Sequence, residues 1–231
     1  MRWHPAGQPQ GGIRASKGRT AQPRVIRVHE ASRAMEADAE AMLAEAQAAA
    51  EAAEAMAPAL AAAEAGDAVA MAAALDAAGA AVDSPGEDGD TVLHIGCLFG
   101  KQAVVEECLR RGASVTARDE DNSTPLHDAS AGGHDAIVSI LLQAGAELHT
   151  VDNDGDSPLH LASNGGHAHV VRLLLAHLAR DETARLAALG ATNALGQTPA
   201  DLAEDPTLMA SLRISGGEED GVGSAFKKTR A

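Results

Sequence analysis

Tyrosine is absent from this chain of 231 residues, and aromatic residues make up only 1% of it. Apolar residues nonetheless reach 45%, and about half of them are alanine. Alanine favours helices and lets backbones approach closely, but it buries little surface per residue. A wide globular interior is therefore excluded, and thin layers of short helices suit the composition better. Cysteine is nearly absent too. Cys97 and Cys108 stand alone, which suits a reducing compartment with buried thiols rather than a disulfide framework. No apolar run approaches the roughly 20 residues that span a bilayer. Nothing after Met1 resembles the apolar core of a secretory signal.

Negative charge is missing from the start of the chain, and positive charge is scarce in the rest. Residues 1–28 contain Arg2, Arg14, Lys17, Arg19, Arg24 and Arg27 but no Asp or Glu, a local charge of +6. The remainder holds 12 basic and 33 acidic side chains, or −21, which accounts for the overall −15. An acidic body lacks the electrostatic term on which non-specific nucleic-acid binding rests, so nucleic acid is not the expected partner.

What the chain does have is a period. Thr91-Val92-Leu93-His94, Thr124-Pro125-Leu126-His127 and Ser157-Pro158-Leu159-His160 are spaced by 33 residues, and Thr198-Pro199-Ala200-Asp201 follows after 41. Gly100, Gly133 and Gly166 keep the same phase, as do Val105, Val138 and Val171. Each unit can be read physically. A Thr or Ser caps a first helix, and Pro sits at its first position, where the missing N–H costs nothing. Gly132-Gly133 stops that helix and His134-Asp135 opens a second. Ile137, Val138, Leu141 and Leu142 give the second helix an apolar stripe, and Gly145 ends it. The turn tips at Asp121-Asn122 and Asp154-Gly155 tolerate positive φ. A single unit cannot bury its own apolar face, so neighbours must stack.

This pattern resembles the ankyrin repeat, with its T-P-L-H-x-A signature and period of about 33 residues. The resemblance implies an all-α ankyrin-repeat solenoid over 58–214. Three full repeats start near Gly86, Asp119 and Asp152, between two degenerate end repeats. The first end shows Ala63, Gly66, Val69, Leu75 and Gly79 in helix–turn–helix order; in the last, Asp201 replaces the His. Eight extra residues fall within 178–190, a helix-favouring stretch expected to lengthen the second helix or form a short one. Residues 31–57 read as an Ala-rich helix preceding the repeats. There Met35, Met42, Ala49 and Met56 recur every seven residues, a weak coiled-coil seam or a capping face. The basic leader (1–30) and the tail (215–231) have the composition of disordered segments.

The ten histidines invite a metal hypothesis, but His94, His127 and His160 each occupy the same place in a different repeat. Stacked helices lie about 10 Å apart, whereas zinc needs nitrogens within about 2 Å of one ion. No metal, cofactor or catalytic residue is expected. The family instead implies that this His bonds backbone and Thr groups between repeats. Cys97 and Cys108 fall at core positions, and the glycine pairs are helix stops rather than phosphate loops.

By resemblance, recognition positions lie at the turn tips and at the ends of the first helices. The tips are Glu87, Asp88 and Asp90; Glu120, Asp121 and Ser123; Asn153, Asp154 and Asp156. The helix ends contribute Leu98 and Phe99, then Ala131 and Gly132, then Asn164 and Gly165. Turn chemistry alone accounts for Asn122, Gly155 and Asp119. It accounts less well for three tips carrying seven carboxylates and no cation. The reading is a non-catalytic module that binds a protein partner with a basic segment, steered by this acidic strip. Phe99 is its candidate anchor. An organelle targeting or chaperone-like factor is the alternative, because an Arg-rich, acid-free leader resembles a transit peptide and Ile13-Arg14-Ala15-Ser16 loosely resembles a plastid processing site. Ser and Thr are sparse in that leader, so a cytoplasmic protein with a basic arm and an imported one both stay open. Oligomeric state does not follow from the residues.

Overall fold

The computed structural model describes residues 25–86, 88–179 and 181–213; Glu87, most of the leader and the whole tail lie outside the described residues. Every regular element among them is a helix. Two compact units divide the chain, Met1–Gln47 and Ala48–Ala231.

Helix α1 (Val25–Ala65) is 41 residues long and runs through the boundary expected at 57/58, with Pro58 inside it. In the first unit Met35, Met42 and Leu43 are exposed on this helix. In the second, Met56, Ala59 and Ala63 are buried and Leu60 packs against the core. The seven-residue seam thus ends as the inner face of the first repeat's leading helix. Helix α2 (Ala68–Ala78) completes that repeat, capped by Asp67, whose carboxylate accepts from the Val69 and Ala70 amides. Met71 and Leu75 are buried, whereas Val69 is 81% exposed. Val69, grouped with the repeat's signature positions in the sequence, therefore takes no part in its core.

Three near-identical units follow. Their first helices, α3 (Val92–Leu98), α5 (Pro125–Ala131) and α7 (Pro158–Asn164), each have seven residues. Their second helices are α4 (Gln102–Arg110), α6 (Asp135–Gln143) and α8 (Ala168–Leu178). The apolar stripes read from the period are buried: Val104, Val105 and Cys108; Ile137, Val138 and Leu141; Val170, Val171 and Leu174. The extra residues do two things at once. They lengthen α8 to 11 residues against nine in α4 and α6, and they form α9 (Glu182–Gly190), capped by Asp181 and anchored by buried Ala188 and Leu189. The last repeat is abbreviated to α10 (Pro199–Leu202) and α11 (Pro206–Leu212).

Each first helix is set by one histidine. The Thr124 amide donates to Nδ1 of His127 at 3.1 Å and the Thr124 hydroxyl lies 2.8 Å from the same nitrogen. Nδ1 is therefore an acceptor, and the opposite Nε2–H donates to the Thr150 carbonyl, at the junction with the next repeat, at 3.2 Å. His94 does the same with Thr91 and the Ser123 carbonyl, and His160 with Ser157 and the Ala191 and Gln197 carbonyls. All three rings are at most 1% exposed. Burial pushes His94 and His127 below the ordinary imidazole range, which keeps the neutral form this geometry requires.

A second set of histidines ties the repeats at the other end of these helices. Nε2–H of His134 donates to the Leu98 carbonyl at 3.0 Å, and that of His167 to the Ala131 carbonyl at 2.8 Å. Both rings need glycines beside them. Gly133 has φ +72°, and a Cβ there would lie 2.4 Å from Nδ1 of His167; Gly145 has φ +92° with nothing within 4 Å. Positive φ costs a non-glycine residue about 1–2 kcal/mol. Gly145→Ala should therefore lose about that much. Gly133→Ala should lose distinctly more, because the His167 bond must also break. Urea unfolding of the two variants beside the parent measures the difference, and equal losses would mean that the ring contact carries no energy.

Candidate functional site

Consecutive turn tips lie side by side and are joined through their backbones. The Asn153 amide donates to the Asp121 carbonyl at 2.9 Å, its side-chain amide to the Glu120 carbonyl at 3.1 Å, and the Ala194 amide to the Asp154 carbonyl at 2.8 Å. In the second and third tips an Asp closes the loop: Asp119 accepts from the Ser123 amide, and Asp152 from the amides of Asp154 and Asp156. The first tip has Gly86 at that place and closes through its backbone, the Gly86 amide donating to the Asp90 carbonyl at 2.8 Å. Gly89 has φ +77°, and a Cβ there would lie 2.9 Å from the Glu120 amide nitrogen, so the first tip abuts the second. In the second tip Asn122 takes φ 62° and donates to the Val151 carbonyl. The result is one ordered row rather than separate loops.

The residues singled out from the sequence divide along this row. Asp88, Glu120, Asp121, Asn153 and Asp154 are exposed, while Asp90, Ser123 and Asp156 are partly buried; Glu87 lies outside the described residues. Asp156 is already engaged, since its Oδ1 accepts from the Asn193 side chain at 2.9 Å. The Ser123 carbonyl takes the His94 bond. Leu98 and Phe99 are each 44% exposed, and Asn164 is exposed at the end of α7. The His134 and His167 bonds bring these helix ends into a second row.

Arg110 and Arg111 at the end of α4 both bind Glu107, and Arg111 reaches Asp76 of the preceding repeat at 2.9 Å. Exposed Arg118, one residue before the repeat start at Asp119, donates from its guanidinium to the Asn122 and Val151 carbonyls, so a cation adjoins the tips although none stands in them.

A strong electrostatic perturbation falls on a residue that the sequence reading missed. Asp128 occupies the place held by Ile95 and Leu161 in the adjacent repeats. Burial, reinforced by Asp90 and Asp119, pushes its carboxyl up to about 8, and its Oδ2 is buried without a hydrogen-bond partner. Asp90 is raised to about 6 by burial together with Asp119, Asp88 and Asp121. Three carboxyl groups are thus crowded behind the tips. An acidic residue in register with two apolar ones was the available signal.

Neither thiol is poised for chemistry. Cys97 and Cys108 are fully buried and unpaired, and burial pushes Cys108 up to about 12 and Cys97 well above its usual value. Among the described residues no group of His, Cys, Asp and Glu is arranged to hold a metal ion, and no helix is long and apolar enough to cross a membrane.

A family model for ankyrin repeats matches three copies over residues 59–152, and a single-repeat model matches 154–184, together more than half of the chain. The chain belongs to the ankyrin-repeat family. No curated protein matches it. Ankyrin repeats are generally protein–protein interaction modules, and proteins built from them are typically non-enzymatic scaffolds.

In this ankyrin domain the cost of Asp128 depends on pH. Its folded value lies above the unfolded one, so the folded state holds the extra proton between about pH 4 and pH 8. Stability from this group is complete in acid and is lost as pH rises through about 8. Asp128→Leu, which copies Leu161, should stabilise the protein by about 1–3 kcal/mol at pH 8.5 and by much less at pH 5. Thermal melts at the two values measure the gap, and a gap that stays constant would place the carboxyl in water.

Proposed function

We propose that the repeat stack is a binding module for a basic protein segment, held along the row of turn tips and against the Leu98–Phe99 contact. The observation that carries this reading is the row itself, in which Glu120, Asp121 and Asp154 are exposed on hydrogen-bonded tips and Asp88 is exposed on the tip that abuts them. Such a row presents fixed negative charge without an ordering cost at binding, the condition under which charge speeds and directs encounter. Asn153 and Asn164 offer amide groups beside it. Asp90, crowded among carboxylates, gains most from an arriving cation. Ser123 and Asp156 support the row through bonds already made, so their part is to position rather than to touch the partner. Leu98 and Phe99, half-exposed in a chain with few aromatics, supply apolar surface where the charges end.

The test is capture from the source cell with the full chain. A second bait carries Asp88→Asn, Glu120→Gln, Asp121→Asn and Asp154→Asn. These exposed changes should leave the melting temperature within a few degrees. A partner held by the native bait, released by moderate salt and lost from the variant by about tenfold or more in affinity supports the acidic row. If both baits hold the same partner equally, the tips are turn chemistry only. A Leu98→Ala, Phe99→Ala bait then asks whether the apolar contact alone carries the binding.

A further inference from the structure

The first repeat differs from the others in a way that changes the end of the acidic row. First helices α3, α5 and α7 begin directly after their tips, at Thr91, Thr124 and Ser157. Helix α1 has no such start. Within the second compact unit it continues N-terminally from the buried Ala59 and Met56 to Ala48, an overhang of about 15 Å at 1.5 Å per residue. A first helix begins on the tip side of its repeat, so this overhang runs beside the tips. Ala50 and Ala53 of the overhang, with Ser84, Pro85 and Gly89 of the first turn and Glu120 of the second, enclose a cleft of about 520 Å³. Its walls are firmly seated: a Cβ on Gly86 would lie 2.5 Å from the Leu60 side chain of α1, and one on Gly89 would lie 2.9 Å from the Glu120 amide nitrogen.

The chemistry of the cleft is mixed in one particular way. Its floor is alanine methyl groups and a proline ring, with Glu120 at the edge. Exposed Asp88 adjoins Gly89, and the overhang adds exposed Glu51 and Glu54 and no Lys or Arg between 48 and 57. An apolar hollow ringed by charge of one sign fits one class of side-chain pattern. We propose that this cleft receives a bulky apolar side chain of the partner, one flanked in the partner's sequence by Lys or Arg that meet Glu120 and Asp88. The inference rests on the acidic-row reading and makes it specific: the partner segment is not merely basic but carries an apolar anchor at a fixed place among its cations.

Fluorescence anisotropy with the full chain and two labelled peptides, Lys-Arg-Phe-Lys-Arg and Lys-Arg-Ala-Lys-Arg, tests it. Both carry the same charge, so both should bind more weakly as salt rises. The Phe peptide should bind roughly 10–100-fold more tightly, the range expected for removing one large side chain from water. Ala53→Leu, a helix-compatible change at the cleft wall, should abolish that preference and leave the Ala peptide unaffected. Glu120→Gln should weaken both peptides. If the two peptides bind alike and both weaken in the Glu120 variant, the acidic row stands and the cleft inference is overturned. A Phe preference that survives Ala53→Leu puts the anchor elsewhere and overturns it too. Failure of either peptide to bind at low salt removes the inference together with the reading beneath it.

Discussion

The imidazole of His94 belongs to two repeats at once, and the rest of the stack depends on such sharing. One nitrogen accepts from the cap of its own helix, and the other donates to the Ser123 carbonyl in the next unit. Because the ring is buried, neither bond competes with water. The same ring therefore fixes where a first helix begins and how far away the next repeat lies. His160 does the same with the Gln197 carbonyl, and His127 with the Thr150 carbonyl at the junction with the following repeat. Asp201 keeps only the part of this arrangement that lies within its own unit. Its carboxylate accepts from the Thr198 amide and hydroxyl at 2.9 and 2.7 Å, as the His ring would. A carboxylate cannot donate to a carbonyl beyond it.

Fixing the register of first helices fixes the register of the turns between them. That is why short loops rich in Asp and Gly form a continuous row here. The second and third tips are each closed by their own Asp and bonded to a neighbour, and the first abuts the second at Gly89, so most of the exposed carboxylates stand on an ordered frame. The stack accepts an electrostatic burden in exchange. Asp90, Asp119 and Asp128 crowd one region, and two of the three are displaced upward toward or past neutrality. In the domain alone this arrangement is unfavourable. It is a local cost concentrated at one place in an otherwise regular repeat.

The period, the caps, the helix stops and the buried stripes were legible from the residues, because each depends on contacts within a single repeat or on a spacing that recurs. The short last repeat and the helix in the insertion were legible for the same reason: Asp201 and the run from Glu182 carry local signals. In alanine-rich α2 the sequence offers little contrast between the faces, and the buried places go to Met71 and Leu75 while Val69 faces outward. Asp128 was overlooked although its neighbours in register are apolar, since the sequence shows the exception but not the carboxylates that surround it.

What the sequence by itself determined is therefore a unit and its repetition: which residues cap, which bury and which turn. Only the tertiary structure decided what lies between units. It carried α1 past Pro58 to line a cleft with the first turn, set Arg118 against the Asn122 and Val151 carbonyls, and drew His134 and His167 to carbonyls 36 residues away. Secondary structure follows from forces that act within a few residues, and these the order of side chains records directly. Bonds and charges shared across repeats depend on a distance set only when neighbouring units have packed.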